Sequence, residues 1–188
     1  MRRALGIAVG LVLVAAALTP PQAQASCVTE ARKCRGGPLI DIEVAAKAVP
    51  HAPGSGRISY TLDYTMALTP SFAPYWGDFW VGGRFPRGAR GPATATLLDV
   101  SGRRLALLTC REHADGVWCA AGSHLPHRGR VVFTARLASG GPATARLGFD
   151  SFEGLDRGQS ERRRTRAQAR EKFCNHRFTT TVAMTPDS

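Results

Sequence analysis

Two stretches of strict two-residue alternation constrain this chain more than any other feature. Ile40, Ile42, Val44, Ala46 and Ala48 alternate with Asp41, Glu43, Ala45 and Lys47. Ile58, Tyr60, Leu62, Tyr64, Met66 and Leu68 alternate with Ser59, Thr61, Asp63, Thr65 and Ala67. Successive side chains of a strand point to opposite faces, so this pattern builds one buried face and one wet face; a helix would scatter the same apolar groups around its circumference. Further strand-like runs lie at 79–85, 93–100, 104–110, 117–120, 131–137, 143–149 and 173–184. Turn-forming residues separate them at Pro53-Gly54-Ser55-Gly56, Pro86-Arg87-Gly88, Ser101-Gly102, Asp115-Gly116 and Gly140-Gly141-Pro142. About nine short strands spaced in this way predict an all-β chain, folded as a two-sheet antiparallel sandwich. The segment 158–172 departs from the pattern. It carries Arg162, Arg163, Arg164, Arg166, Arg170 and Lys172 against Glu161 and Glu171, and reads as a short Arg-rich helix or loop.

The N-terminus reads as a targeting segment. Arg2-Arg3 supplies positive charge, Ala4 to Leu18 is uninterrupted and apolar, Pro20-Pro21 stops a helix, and Ala23-Gln24-Ala25 fits a cleavage site. The apolar run falls short of the ~20 residues needed to span a bilayer. A lipid anchor at Cys27 is disfavoured because Gln24 stands three residues before it, where such signals place an apolar residue. The expected organisation is a signal peptide at 1–25, an N-terminal segment at 26–37, a sandwich at 38–157, the Arg-rich segment at 158–172, and a last strand and tail at 173–188. No transmembrane segment is expected after signal removal. The expected location is secreted, extracellular or associated with the cell wall.

Export places five cysteines in an oxidising compartment, where disulfides are read before metal sites. Cys110 and Cys119 bracket a hairpin. A turn over His113-Ala114-Asp115-Gly116, with glycine fourth, sets the two cysteines opposite each other, whereas a two-residue Asp115-Gly116 loop would put them out of register. Cys27, Cys34 and Cys174 then share one further bond, and the spacing does not choose among them.

Charge points to anionic partners. The chain holds 25 Lys+Arg against 14 Asp+Glu, a net +11, and only Lys33, Lys47 and Lys172 are lysines. This bias is what GC-rich coding produces in an Ala/Gly/Pro/Arg-rich chain. Guanidinium groups nonetheless grip phosphate and carboxylate in two-point fashion. The expected partner is a macromolecule such as an anionic envelope polymer or another surface protein; no nucleic-acid recognition motif accompanies the charge. Candidate binding residues are Arg162, Arg163, Arg164 and Arg166, with the aromatic cluster of Tyr75, Trp76 and Trp80. Beside Phe79 that cluster is read either as core or as a surface platform for stacking.

Other constellations are weaker. Cys110, His113, Cys119, His124 and His127 have zinc-like spacing, but oxidation removes the thiolates zinc requires. Asp150, Glu153 and Asp156 could gather around calcium, without EF-hand spacing. No metal and no cofactor is expected. No Gly-x-Ser-x-Gly elbow, His-Glu-x-x-His motif or phosphate-cradling glycine loop occurs, so no catalytic residue is assigned and the chain is read as a non-enzyme.

Four segments in order carry a family resemblance: Gly56-Arg-Ile-Ser-Tyr-Thr-Leu-Asp-Tyr64, Phe85-Pro86-Arg87-Gly88, the Cys110 and Cys119 pair, and Val131-Val-Phe-Thr-Ala-Arg-Leu137. Over about 38–150 this order resembles the immunoglobulin-like conserved-repeat domain of bacterial surface and secreted proteins, a family of undefined role. Thr69-Pro70-Ser71 stands where that family has an Asn-rich turn, and the Asp before its Leu-Pro turn is missing. The resemblance implies an immunoglobulin-like sandwich serving as a stalk or interaction module. The functional expectation is a secreted or envelope-associated, non-catalytic interaction or structural module. A small secreted inhibitor or effector, and a secreted hydrolase with an unrecognised site, are the other classes.

Overall fold

The computed structural model of the chain describes residues 28–29, 40–52, 55–68, 77–123, 125–137, 143–153 and 166–184. Its strands are β1 (Val28–Thr29), β2 (Ile40–Pro50), β3 (Arg57–Leu68), β4 (Gly77–Arg84), β5 (Thr94–Leu98), β6 (Arg104–His113), β7 (Gly116–Gly122), β8 (Arg128–Arg136), β9 (Ala143–Glu153) and β10 (Cys174–Met184). A short helix, α1 (Arg166–Lys172), precedes β10. The all-β antiparallel architecture expected from the alternation is present. The strands form one ten-stranded sheet in the order β1-β10-β9-β4-β7-β6-β5-β8-β3-β2.

Alternation sets the register. β2 and β3 pair along their whole length, from Ile40↔Leu68 to Pro50↔Ile58, so Ile42 opposes Met66 and Val44 opposes Tyr64 on one face. A slip of one residue would turn both apolar sets toward water. β3 then pairs with β8, placing Tyr60 opposite Phe133 and Leu62 opposite Val131.

The sheet is continuous because β6 serves both of its halves. Thr109 and the residues before it pair with β5, whereas Cys110 to His113 pair with β7. The sheet curls until β2 lies beside β10, close to a closed barrel. Its inner face encloses one core, including Ile42, Tyr60, Leu62, Phe133, Phe149 and Phe178. Edge-on ring contacts fix it: Tyr64 on Phe149 with centroids 4.9 Å apart, and Phe85 bridging Tyr60 and Phe133 at 5.5 and 5.8 Å. Each large apolar side chain buried here contributes ~1.5–3 kcal/mol.

A second, smaller core lies on the outer face. Trp80 of β4, Trp118 of β7 and Phe152 of β9 pack there against Ala169 of α1. Phe79 and Val81 belong to the main core, so adjacent residues of β4 divide between the two. The helix-or-loop segment is helical from Arg166 onward; its earlier residues lie outside the described ones. Among the described residues, no helix is long and apolar enough to cross a membrane.

Candidate functional site

The β6–β7 hairpin organises the chemistry of the molecule. His113 pairs with Gly116 and leaves Ala114-Asp115 as the turn centre; three residues further in each direction, Cys110 stands directly opposite Cys119. The two are joined by a disulfide. Gly116 has φ 130°, and a Cβ there would lie 2.2 Å from the Gly83 carbonyl oxygen, so glycine is required at this turn. Cys174 is also disulfide-bonded. Cys27 and Cys34 lie outside the described residues.

Above the outer face, the hairpin, β9, β10 and α1 bring together two carboxylates and three guanidiniums. Arg166 is 2% exposed; it donates through Nη1 to Asp115 and through Nη2 to Asp150, with its guanidinium 3.9 Å over the Trp118 ring. Arg170 Nη2 donates to Asp115 at 2.7 Å and to Asp150 at 3.0 Å. Arg177, cross-strand from Asp150, donates through Nε to Asp150 at 2.8 Å and through Nη2 to Asp115 at 3.0 Å. Arg166 and Arg170 are four residues apart, which puts both on one face of α1.

Burial pushes the Asp150 carboxyl above its ordinary value, against the pull of Arg166 and Arg177. Each side-chain hydrogen bond to its oxygens nevertheless comes from a guanidinium, which has no acceptor for a carboxylic proton, so the arrangement requires the carboxylate. At Asp115 burial also opposes ionisation, but Arg166 and Arg177 outweigh it and hold the carboxyl below its usual range. Burial and the nearby Arg166 charge depress His113, whose ring meets Trp80 edge-on at 5.9 Å. With three guanidiniums on two carboxylates the cluster keeps one net positive charge, and it ties helix to sheet.

The exposed arginines lie elsewhere. A groove of about 610 Å³ lies at the β4–β5 connection, lined by Arg84, Arg87 and Arg90 together with Cys110, Glu112 and His113. It shares Arg90, Gly91, Pro92 and Ala93 with an adjoining hollow of about 380 Å³ that adds Arg57 and Arg136. The connection is firmly seated. Ala89 N–H donates to the Pro86 carbonyl across a turn whose third residue, Gly88, has φ 79°, and Arg90 and Arg136 exchange two backbone hydrogen bonds. Pro92 is buried, and a Cβ on Gly91 would lie 2.4 Å from Val117 Cγ2. Arg57, Arg84, Arg87, Arg90 and Arg136 are all exposed, and among the described residues none forms a salt bridge.

The structure redistributes the residues singled out by sequence. Arg166, expected to face a partner, is instead buried in the ion cluster, because α1 lays that side of the helix against Asp115, Asp150 and Trp118. Trp80 is 8% exposed: it points away from the main core, as the alternation with Phe79 requires, but α1 covers it. Tyr75, Trp76, Arg162, Arg163, Arg164, His124 and Asp156 lie outside the described residues. Asp150, grouped above with Glu153 and Asp156 as a calcium candidate, is held by arginines. Sequence reasoning passed over Arg57, Arg84, Arg87, Arg90 and Arg136; the signal available was only the three-residue spacing of Arg84, Arg87 and Arg90 around Pro86 and Gly88.

No family model matches the chain, and no curated protein and no solved structure matches it.

Proposed function

We propose that this chain is an exported, non-catalytic interaction module of the immunoglobulin-like type that grips an anionic envelope polymer in the groove lined by Arg84, Arg87 and Arg90. One observation carries the reading: five exposed arginines that have no carboxylate partner among the described residues line adjoining hollows, while Arg166, Arg170 and Arg177 are ion-paired with Asp115 and Asp150. A polymer bearing repeated phosphate or carboxylate groups matches such a row, because each guanidinium takes two oxygens at once.

Strand order supports the immunoglobulin-like part. β2-β3-β8-β5 follows the A-B-E-D order of such domains, and β10-β9-β4 follows G-F-C. On this reading the β6–β7 hairpin is an insertion between the fourth and fifth strands that crosses over to extend the sheet beside β4. The Cys110–Cys119 bond and the bonded Cys174 are compatible with an oxidising, extracellular location.

The test is sedimentation of the chain with purified, phosphate-rich wall polymer at low ionic strength and at 0.15 M salt, where the Debye length is ~8 Å. The Arg84→Ala/Arg87→Ala/Arg90→Ala variant should lose most of the salt-sensitive binding while unfolding at the parent's urea midpoint. Undiminished binding by that variant would refute the assignment.

A further inference from the structure

The first half of β6 is an open edge. Among the described residues, the stretch from Arg104 to Thr109 pairs only with β5, since the ladder to β7 begins at Cys110↔Cys119 and runs outward to the turn. Past Cys119, β7 follows β4 instead, through Trp80↔Ala120 and Phe79↔Gly122 with a register shift between them. The two strands of the hairpin therefore part company at the disulfide.

The direction of the backbone groups on that edge follows from one bond. Cys110 N–H donates to the Ala93 carbonyl on the β5 side at 2.9 Å. Backbone groups alternate sides along a strand, so Cys110, Leu108 and Ala106 turn theirs toward β5, while Leu107 and Thr109 turn theirs to the open side; Leu105 is the extra residue of a bulge between Leu97↔Ala106 and Leu98↔Arg104 and is not paired in the β5 ladder. Leu105 is 41% and Leu107 62% exposed, and Thr109 is also exposed. Edges of this kind are ordinarily blunted with charge or proline. Here the centre is apolar, and charge stands at the ends, on Arg104 and Arg111 and on Arg103, which is ion-paired with Asp99 at 3.0 Å.

We propose that the edge from Leu105 to Thr109 accepts an extended partner peptide as an added strand, one with apolar residues at alternate positions and acidic residues at both ends. The backbone groups supply the ladder, Leu105 and Leu107 cover the apolar positions, and the flanking arginines meet the acidic ends. A second copy of this chain fits poorly. With Leu107 opposite Leu107 in an antiparallel pair, β7, which pairs with each copy's β6 from Cys110 onward, would stand where the other copy's Arg104 has to lie. The surface is separate from the arginine groove and does not depend on its ligand.

The probe is a fluorescein-labelled Glu-Glu-Val-Thr-Val-Thr-Val-Glu-Glu peptide, titrated against the full chain by anisotropy, with amide exchange followed at residues 107 and 109. The free chain should exchange those two amides rapidly, and the peptide should protect them. Leu107→Pro removes an N–H from the open side without touching the β5 ladder and should weaken binding about ten-fold or more. Leu107→Lys keeps the backbone intact and should weaken it too, and a lysine-ended peptide should bind worse than the acidic one. The Arg84→Ala/Arg87→Ala/Arg90→Ala variant should bind the peptide as the parent does. Unprotected amides, Leu107→Lys and Leu107→Pro binding like the parent, loss of binding in the groove variant, or a parent dimer broken by Leu107→Lys would each overturn the proposal.

Discussion

The Arg166 guanidinium covers the Trp118 ring at 3.9 Å while its edge donates to Asp115 and Asp150. One planar group uses its face for the indole and its rim for two carboxylates, a combination lysine cannot reproduce. This contact is how a seven-residue helix, too short to be stable by itself, is held on the sheet.

Asp150→Ala should destabilise the chain strongly, by ~3–5 kcal/mol, because it strands buried positive charge. Urea unfolding followed by tryptophan fluorescence measures this. The double variant Asp150→Leu/Arg166→Met should recover much of the loss, since it removes both charges together. A fully stable Asp150→Ala protein would mean that the cluster does not hold α1 in place.

Breaking the hairpin bond should cost ~2–3 kcal/mol, the chain-entropy value for a loop of this length. Cys110→Ser/Cys119→Ser should keep the parent's far-UV spectrum at neutral pH and unfold at a lower urea concentration. An unchanged midpoint would show that the β6–β7 ladder closes the loop without covalent help.

Stability should fall on acidification in two steps. His113 is depressed in the fold, so its contribution is complete above the ordinary histidine value of ~6.5 and declines as pH drops toward its folded value. Asp115 is depressed as well, and its contribution declines below ~4. Asp150, raised by burial, opposes that lower step, so the upper step is the cleaner readout. Urea midpoints between pH 7 and 5 should decrease for the parent and stay level for His113→Phe, which keeps a ring against Trp80.

At the β5–β6 turn, Asp99 accepts from Ser101 N–H and Oγ and from Arg103 N–H, and these bonds hold its carboxyl down at about 2. NMR titration should find it there. Asp99→Ala should speed amide exchange at Ser101 and Arg103. A titration near the ordinary aspartate value would remove the turn bonds from the account.

What the sequence discloses follows the range of the forces involved. The β2 and β3 alternation and the Cys110–Cys119 pairing are legible because strand period and turn length act over a few residues. The ion cluster is not, because Asp115 and Arg177 are 62 positions apart and meet only once α1 docks. Asp150 looked like one of a calcium-binding group, yet it is held by Arg166, Arg170 and Arg177. The pairing of Arg166 with Arg170 at helical spacing was the readable hint, obscured by the surrounding run of arginines. The groove arginines flank a connection without a period, so nothing local predicted that Arg57 and Arg136 would adjoin them.

Because β6 is stitched to β5 along one half and to β7 along the other, neither half of the molecule owns it. Tension applied across the sheet must shear this shared strand, and the covalent link at Cys110 stops a tear that starts at its free end from running through to the hairpin tip.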